Sequence, residues 1–110
     1  MSTIQPVIGI SPEELLKLIE QESIVLIDVR ETYEFDDERI PSSVNVPLST
    51  FVSEDVARIA KGKEVVFQCR LGHRSGIAAT EFSNGEQSQK HLEGGINAWK
   101  HSGMQTIRGD

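Results

Sequence analysis

Two continuous apolar runs punctuate the chain, Ile24-Val25-Leu26-Ile27 and Val65-Val66-Phe67, and neither alternates with polar residues. Runs of this kind suit strands covered on both faces, as in a parallel sheet. Val44-Asn45-Val46, ended by Pro47, reads as a weaker strand, and Val7-Ile8-Gly9-Ile10 adds one before the first helix. Residues 88–92 form the least regular strand of the set, because Gln89, Lys90 and His91 make it polar. Between these runs the apolar spacing changes to that of helices. Ser11-Pro12-Glu13-Glu14 is a helix start: Ser11 caps, Pro12 suits the first helical position and Glu14 completes a capping box. Leu15, Leu18 and Ile19 then give one apolar face, and the helix is expected to run to about Gln21. Residues 53–60, 75–82 and 96–101 supply three more helical patterns, the last following Gly94-Gly95. Strands alternating with helices predict an open α/β sandwich, with ligands bound beyond the carboxyl ends of the strands.

Composition narrows this picture without changing it. The 110 residues are room for one domain, expected over 1–110, and a chain of this size buries a core without staples. With 17 acidic against 11 basic residues the formal charge is -6, which argues against nucleic acid as a partner. A single cysteine forbids an intrachain disulfide. Met1-Ser2-Thr3-Ile4-Gln5-Pro6 lacks the basic-then-apolar order of a signal peptide, and no apolar stretch has the length to cross a bilayer. A soluble cytoplasmic protein without a membrane partner is the expectation. His73, His91 and His101 lack metal-ligand spacing, so neither a metal nor another cofactor is expected.

The chemistry concentrates around the lone cysteine. In Val65-Val66-Phe67-Gln68-Cys69-Arg70-Leu71-Gly72-His73-Arg74-Ser75 a buried strand ends, the cysteine follows, and the helical pattern restarts at Ser75. A lone cysteine at a strand end is ordinarily a small buried hydrophobe. Arg70, His73, Arg74 and Gly72 within five residues point instead to a reactive thiolate in an electropositive loop. Such a loop turns backbone N–H groups inward ahead of a helix N-terminus, and Gly72 permits the tight path. Activation alone explains little. Lowering a thiol's pKa from about 8.5 to about 6.5 raises its thiolate fraction about 25-fold at pH 7, and the accompanying loss of nucleophilicity returns about 8-fold. The loop is therefore read as a cradle for an anionic substrate and for charge on sulfur.

These residues resemble the rhodanese homology family over nearly the whole chain. Ile27-Asp28-Val29-Arg30 with Tyr33-Glu34 looks like its first motif, and Ile40-Pro41 with Val44-Asn45-Val46-Pro47 the next. The loop from Cys69 through Ser75 matches its active loop, and Leu92-Glu93-Gly94-Gly95-Ile96-Asn97-Ala98-Trp99 its closing motif. The resemblance implies a three-layer α/β/α domain with a five-stranded parallel sheet. It also implies a sulfurtransferase: Cys69 attacks the outer sulfur of thiosulfate or a related small anionic donor, releases sulfite, and carries a persulfide. Cyanide or a thiol such as thioredoxin or glutathione then accepts the sulfur. Backbone N–H groups of Arg70, Leu71, Gly72, His73, Arg74 and Ser75 would bind the persulfide, with Arg74 steadying loop and anion. Related phosphatases place five residues between cysteine and arginine; here four separate Cys69 from Arg74, which disfavours a phosphatase or arsenate reductase. A non-turnover sulfur-delivery or regulatory module is the other alternative, against which an exposed thiolate at Cys69 weighs.

The chain departs from the family's Gly-His-Ile-Pro-Gly-Ala pattern at Glu38-Arg39 and Ser42-Ser43. Those changes bear on substrate preference and partner surface more than on fold. Asp28 and Arg30, just beyond a strand's carboxyl end, are assigned a supporting role as an ion pair or loop brace. Gly94-Gly95 reads as a tight turn and Trp99 as core. The acidic group Glu31, Glu34, Asp36, Asp37 and Glu38 reads as a solvated surface.

Overall fold

In a computed structural model that describes residues 7–83 and 88–109, five strands form one parallel sheet. They are β1 (Val7–Ile10), β2 (Ile24–Asp28), β4 (Ser43–Asn45), β5 (Glu64–Gln68) and β6 (Gln89–Leu92), in the spatial order β1-β6-β5-β2-β4. A separate two-residue strand β3 (Glu38–Arg39) pairs antiparallel with β7 (Ile107–Arg108). The helices are α1 (Pro12–Glu20), α2 (Thr32–Asp37), α3 (Ser53–Ala60), α4 (His73–Ser83) and α5 (Gly95–His101).

The two continuous apolar runs occupy the middle of the sheet. β2 and β5 pair in register, Leu26 opposite Val66 and Ile27 opposite Phe67. Because side chains alternate across a strand, each register pair feeds one face. Ile27, Val65 and Phe67 pack with Val56 and Ala60 of α3 and with Ala78 and Ala79 of α4. Leu26 and Val66 pack with Leu15 of α1 and with Ile96 and Trp99 of α5. Helices thus cover both faces, giving the three layers expected. Each fully buried Leu, Ile or Phe contributes about 1.5–3 kcal/mol, so these central strands are the most heavily stabilised part of the fold. Trp99 is core, and its indole N–H donates to the Gln105 carbonyl at 2.7 Å.

Local signals account for the first helix: the Ser11 hydroxyl accepts from the Glu14 N–H at 3.1 Å, and Pro12 occupies the first turn. It ends at Glu20, one residue before the expected stop. β6 forms as expected, in an inner position, with Leu92 buried and Lys90 3.2 Å from the Glu64 carboxylate. Two expectations change. The fourth helix starts at His73 rather than Ser75, which shortens the loop after Cys69 to residues 70–72. The acidic stretch is not simply a solvated surface: most of it folds into α2. There Glu31 and Glu34 form a reciprocal capping box, and Glu38 pairs with Lys100 at 2.8 Å and Arg108 at 3.3 Å. Ser42, at one of the departures from the family pattern, adopts φ 74°, the left-handed conformation a glycine takes without cost.

Candidate active site

β5 ends at Gln68, so the first residue beyond the carboxyl edge of the central strand is Cys69. Its side chain is 1 % exposed and packs in the same apolar cluster as Ile27, Phe67 and Ala79. The cysteine expected from the sequence to be exposed is therefore buried. Polar groups nevertheless converge on the sulfur. The Gly72 N–H donates to Sγ at 3.1 Å and the Ser75 N–H at 3.3 Å. The Ser75 hydroxyl lies 3.6 Å from Sγ. Ser75 is the third residue of α4, where a helix N–H has no intrahelical partner; the sulfur takes the place of the missing acceptor and sits at the positive end of the helix dipole. Gly72 makes this geometry with φ +111°, a value L side chains rarely adopt.

The outer side of the loop is held by α5. The Ile96 N–H donates to the Cys69 carbonyl at 2.8 Å and the Asn97 N–H to the Arg70 carbonyl at 3.2 Å. This contact requires Gly95, which has φ +61° and whose absent Cβ would overlap the Cys69 and Arg70 carbonyls. The tight turn read at Gly94-Gly95 is thus the seat on which the loop rests.

Basic side chains do not gather at the sulfur as the electropositive loop read from the sequence implied. Arg70 and His73 are exposed, as is Leu71, 64 % of whose surface is open. Arg74 forms a bidentate pair with Glu34 of α2, at 2.7 and 3.1 Å. The pair raises the Arg74 pKa, chiefly through the Glu34 hydrogen bond against the opposing cost of burial. It holds the Glu34 carboxyl below the ordinary carboxylate range by the same hydrogen bond. Beside the loop opens a cavity of about 490 Å³, whose walls mix Arg30, Arg70 and Lys100 with Glu34, Asp37 and Glu38. Its charge is mixed, not uniformly basic.

Asp28 and Arg30 form a buried ion pair at 2.7 Å. Arg30 also donates to the Glu38 carbonyl at 2.7 Å, and the Asn45 amide donates to the Asp28 and Arg30 carbonyls at 3.0 Å each. These bonds fix the turn from β2 into α2 and so the position of Glu34. Arg39 lies 5.1 Å from the Phe35 ring centroid and donates to the Phe35 carbonyl.

One neighbour of the site was missed in the sequence. The Nδ1 of His91, on β6, is 2.8 Å from the Ser75 Oγ. The ring is half-buried, and burial pushes its pKa down against the opposing pull of Glu93. The signal was the polarity of residues 88–92: a histidine on an inner strand needs a partner, and here it faces the loop.

The rhodanese-like domain family matches residues 11–102. The chain belongs to that family. Within it, the chain is 37 % identical over 108 residues to an uncharacterized protein of Synechocystis sp., covering 97 % of this chain and 60 % of that protein. It is 33 % identical over 97 residues to the adenylyltransferase and sulfurtransferase MOCS3 of Drosophila ananassae, covering 81 % of this chain and 22 % of that one. The chain thus spans less than two thirds of the length of either relative. A crystal structure of thiosulfate sulfurtransferase from Pseudomonas aeruginosa superposes with a TM-score of 0.81 at 24 % identity, over 96 % of this chain and 20 % of that one. This chain thus carries the rhodanese-like α/β fold with a five-stranded parallel sheet. Among the described residues, no helix is long and apolar enough to cross a membrane.

Proposed function

We propose that this rhodanese-like chain is a sulfurtransferase that carries sulfur as a persulfide on Cys69. The observation that carries the reading is the convergence of the Gly72 and Ser75 N–H groups on Sγ at the carboxyl edge of the sheet. The Cys69 thiolate attacks the outer sulfur of thiosulfate; a new S–S bond forms as the donor's S–S bond breaks, and sulfite leaves with the electron pair. A thiol acceptor such as thioredoxin or glutathione, or cyanide, then attacks the outer sulfur and returns the thiolate. The bound sulfur adds about 2.05 Å beyond Sγ. Its negative charge is met by main-chain N–H groups, which need no reorganisation during the reaction. Arg74, held by Glu34, keeps the loop in place. The persulfide cycle needs a free thiol, and a reducing compartment such as the cytoplasm suits it. The four-residue separation of Cys69 from Arg74 favours this chemistry over phosphoryl transfer. In Cys69→Ser, sulfite release from thiosulfate is expected to vanish with the fold intact by circular dichroism; activity retained in that variant contradicts the reading.

A second reading, delivery of sulfur received from a protein persulfide without thiosulfate turnover, draws support from the commitment of Arg74 to Glu34 and the burial of the sulfur. It predicts loading of Cys69 by a persulfidated protein and none by thiosulfate.

A further inference from the structure

The Ser75 hydroxyl has one proton and three neighbours. The Gly72 carbonyl is 3.2 Å away, Cys69 Sγ 3.6 Å and His91 Nδ1 2.8 Å. The His91 contact is the shortest of the three, so the state of that ring nitrogen decides where the serine proton goes. If Nδ1 presents a lone pair, the serine donates to it and turns its own oxygen lone pairs toward the sulfur, repelling an anion. If Nδ1 carries the hydrogen, it donates to the serine oxygen, and the serine O–H is left to the Gly72 carbonyl or the sulfur, of which an anionic sulfur is the stronger acceptor. The ring lies against the loop itself: a Cβ on Gly72 would sit 3.8 Å from His91 Cε1. Burial of the imidazole favours its neutral form, which has one N–H to place.

We propose that His91 is a positioning residue for sulfur transfer: with Nδ1 protonated, it holds the Ser75 hydroxyl so that its O–H points at the Cys69 sulfur. The sulfur anion then has three donors, the Gly72 N–H, the Ser75 N–H and the Ser75 O–H. When the cysteine carries its proton the direction reverses, and S–H donates to the serine oxygen. The inference rests on the persulfide reading given above and extends it to a residue on a different strand. It also explains why an inner strand of the sheet tolerates a histidine.

The test is a set of variants assayed for sulfite release from thiosulfate, with thermal midpoints measured alongside. His91→Phe removes the donor, His91→Asn returns an amide near the Nδ1 position, and Ser75→Ala removes the relay. Losing one hydrogen bond to a charged group predicts about a tenfold fall in rate for His91→Phe and for Ser75→Ala. His91→Asn should recover to within about threefold of the unsubstituted protein on the same reasoning. If His91 acts through Ser75, the double variant Ser75→Ala/His91→Phe is no slower than Ser75→Ala alone. An unchanged rate in His91→Phe overturns the proposal, and so does a multiplicative loss of about a hundredfold in the double variant. Failure of His91→Asn to recover at an unchanged thermal midpoint overturns it as well. If the unsubstituted protein releases no sulfite, the thiosulfate reading falls and the same variants are read by iodoacetamide alkylation of Cys69. There the loss of one donor, partly offset by higher nucleophilicity, predicts about a threefold slowing in His91→Phe, relieved in His91→Asn. Equal alkylation rates in all of them overturn the inference.

Discussion

At the scale of the residue, the site depends on groups that orient other groups. Cys69 was legible from its neighbours in the chain, since glycine and basic residues within five positions set it apart from a core cysteine. Its burial was not legible, because whether a thiol at a strand end is covered depends on α4 and the opposite strands. The partner of Arg74 was equally hidden: Glu34 lies 40 residues away and reads locally as one more acid in a charged run. The bidentate pair makes a pH prediction. The Glu34 carboxyl sits below its ordinary range in the folded state, chiefly because of the Arg74 hydrogen bond. Its contribution to stability is therefore fully present above the unfolded carboxylate value, about 4.3, and is lost as pH falls through the lower folded value. Replacing Glu34 by Gln is expected to cost about 1 kcal/mol or less at pH 7, since both side chains are partly solvated. In urea titrations the gap between the two proteins should narrow below about pH 4.3. A gap that holds its size down to pH 3 contradicts the assignment.

At the scale of the element, the loop after Cys69 is braced from two directions, by the turn from β2 into α2 and by the start of α5. The apolar runs identified β2 and β5 because burial on both faces leaves a compositional mark. β6 was faint because it spends positions on the site and its surroundings: His91 reaches Ser75, and Lys90 pairs with Glu64. α2 carried a capping pair, Glu31 with Glu34, that the density of negative charge disguised. The pairing of β3 with β7 joins residues about 70 apart and leaves no periodic signal in two-residue strands. The α5 brace yields a prediction with two readouts. Gly95→Ala forces a positive φ on an L residue and pushes a methyl group into the Cys69 and Arg70 carbonyls. A loss of more than about 2 kcal/mol of stability is expected, from the left-handed conformation together with overpacking. Sulfur loading of Cys69 should fall further than the fraction unfolded accounts for, because the loop carbonyls lose their seat. A variant with native stability and native loading contradicts the role assigned to Gly95.

At the scale of the whole molecule, a negatively charged protein places its buried cysteine at one sheet edge, with backbone N–H groups rather than a basic surface around the sulfur. The overall charge of -6 argued against nucleic acid and left the site unaddressed. The order of motifs along the chain carried the architecture, since each falls at a strand end or at the start of a helix that faces the same edge. The mixed cavity beside the loop was invisible at that level, because its walls come from Arg30, α2, β3, the residue after Cys69, and α5. The central claim is that Cys69 carries sulfur, and intact-protein mass spectrometry tests it most directly. Brief exposure to thiosulfate should add one sulfur atom, about 32 Da, mapped to Cys69 and removed by cyanide or dithiothreitol. No adduct from thiosulfate or from a persulfidated protein donor, under conditions where Cys69 alkylates readily, would contradict it.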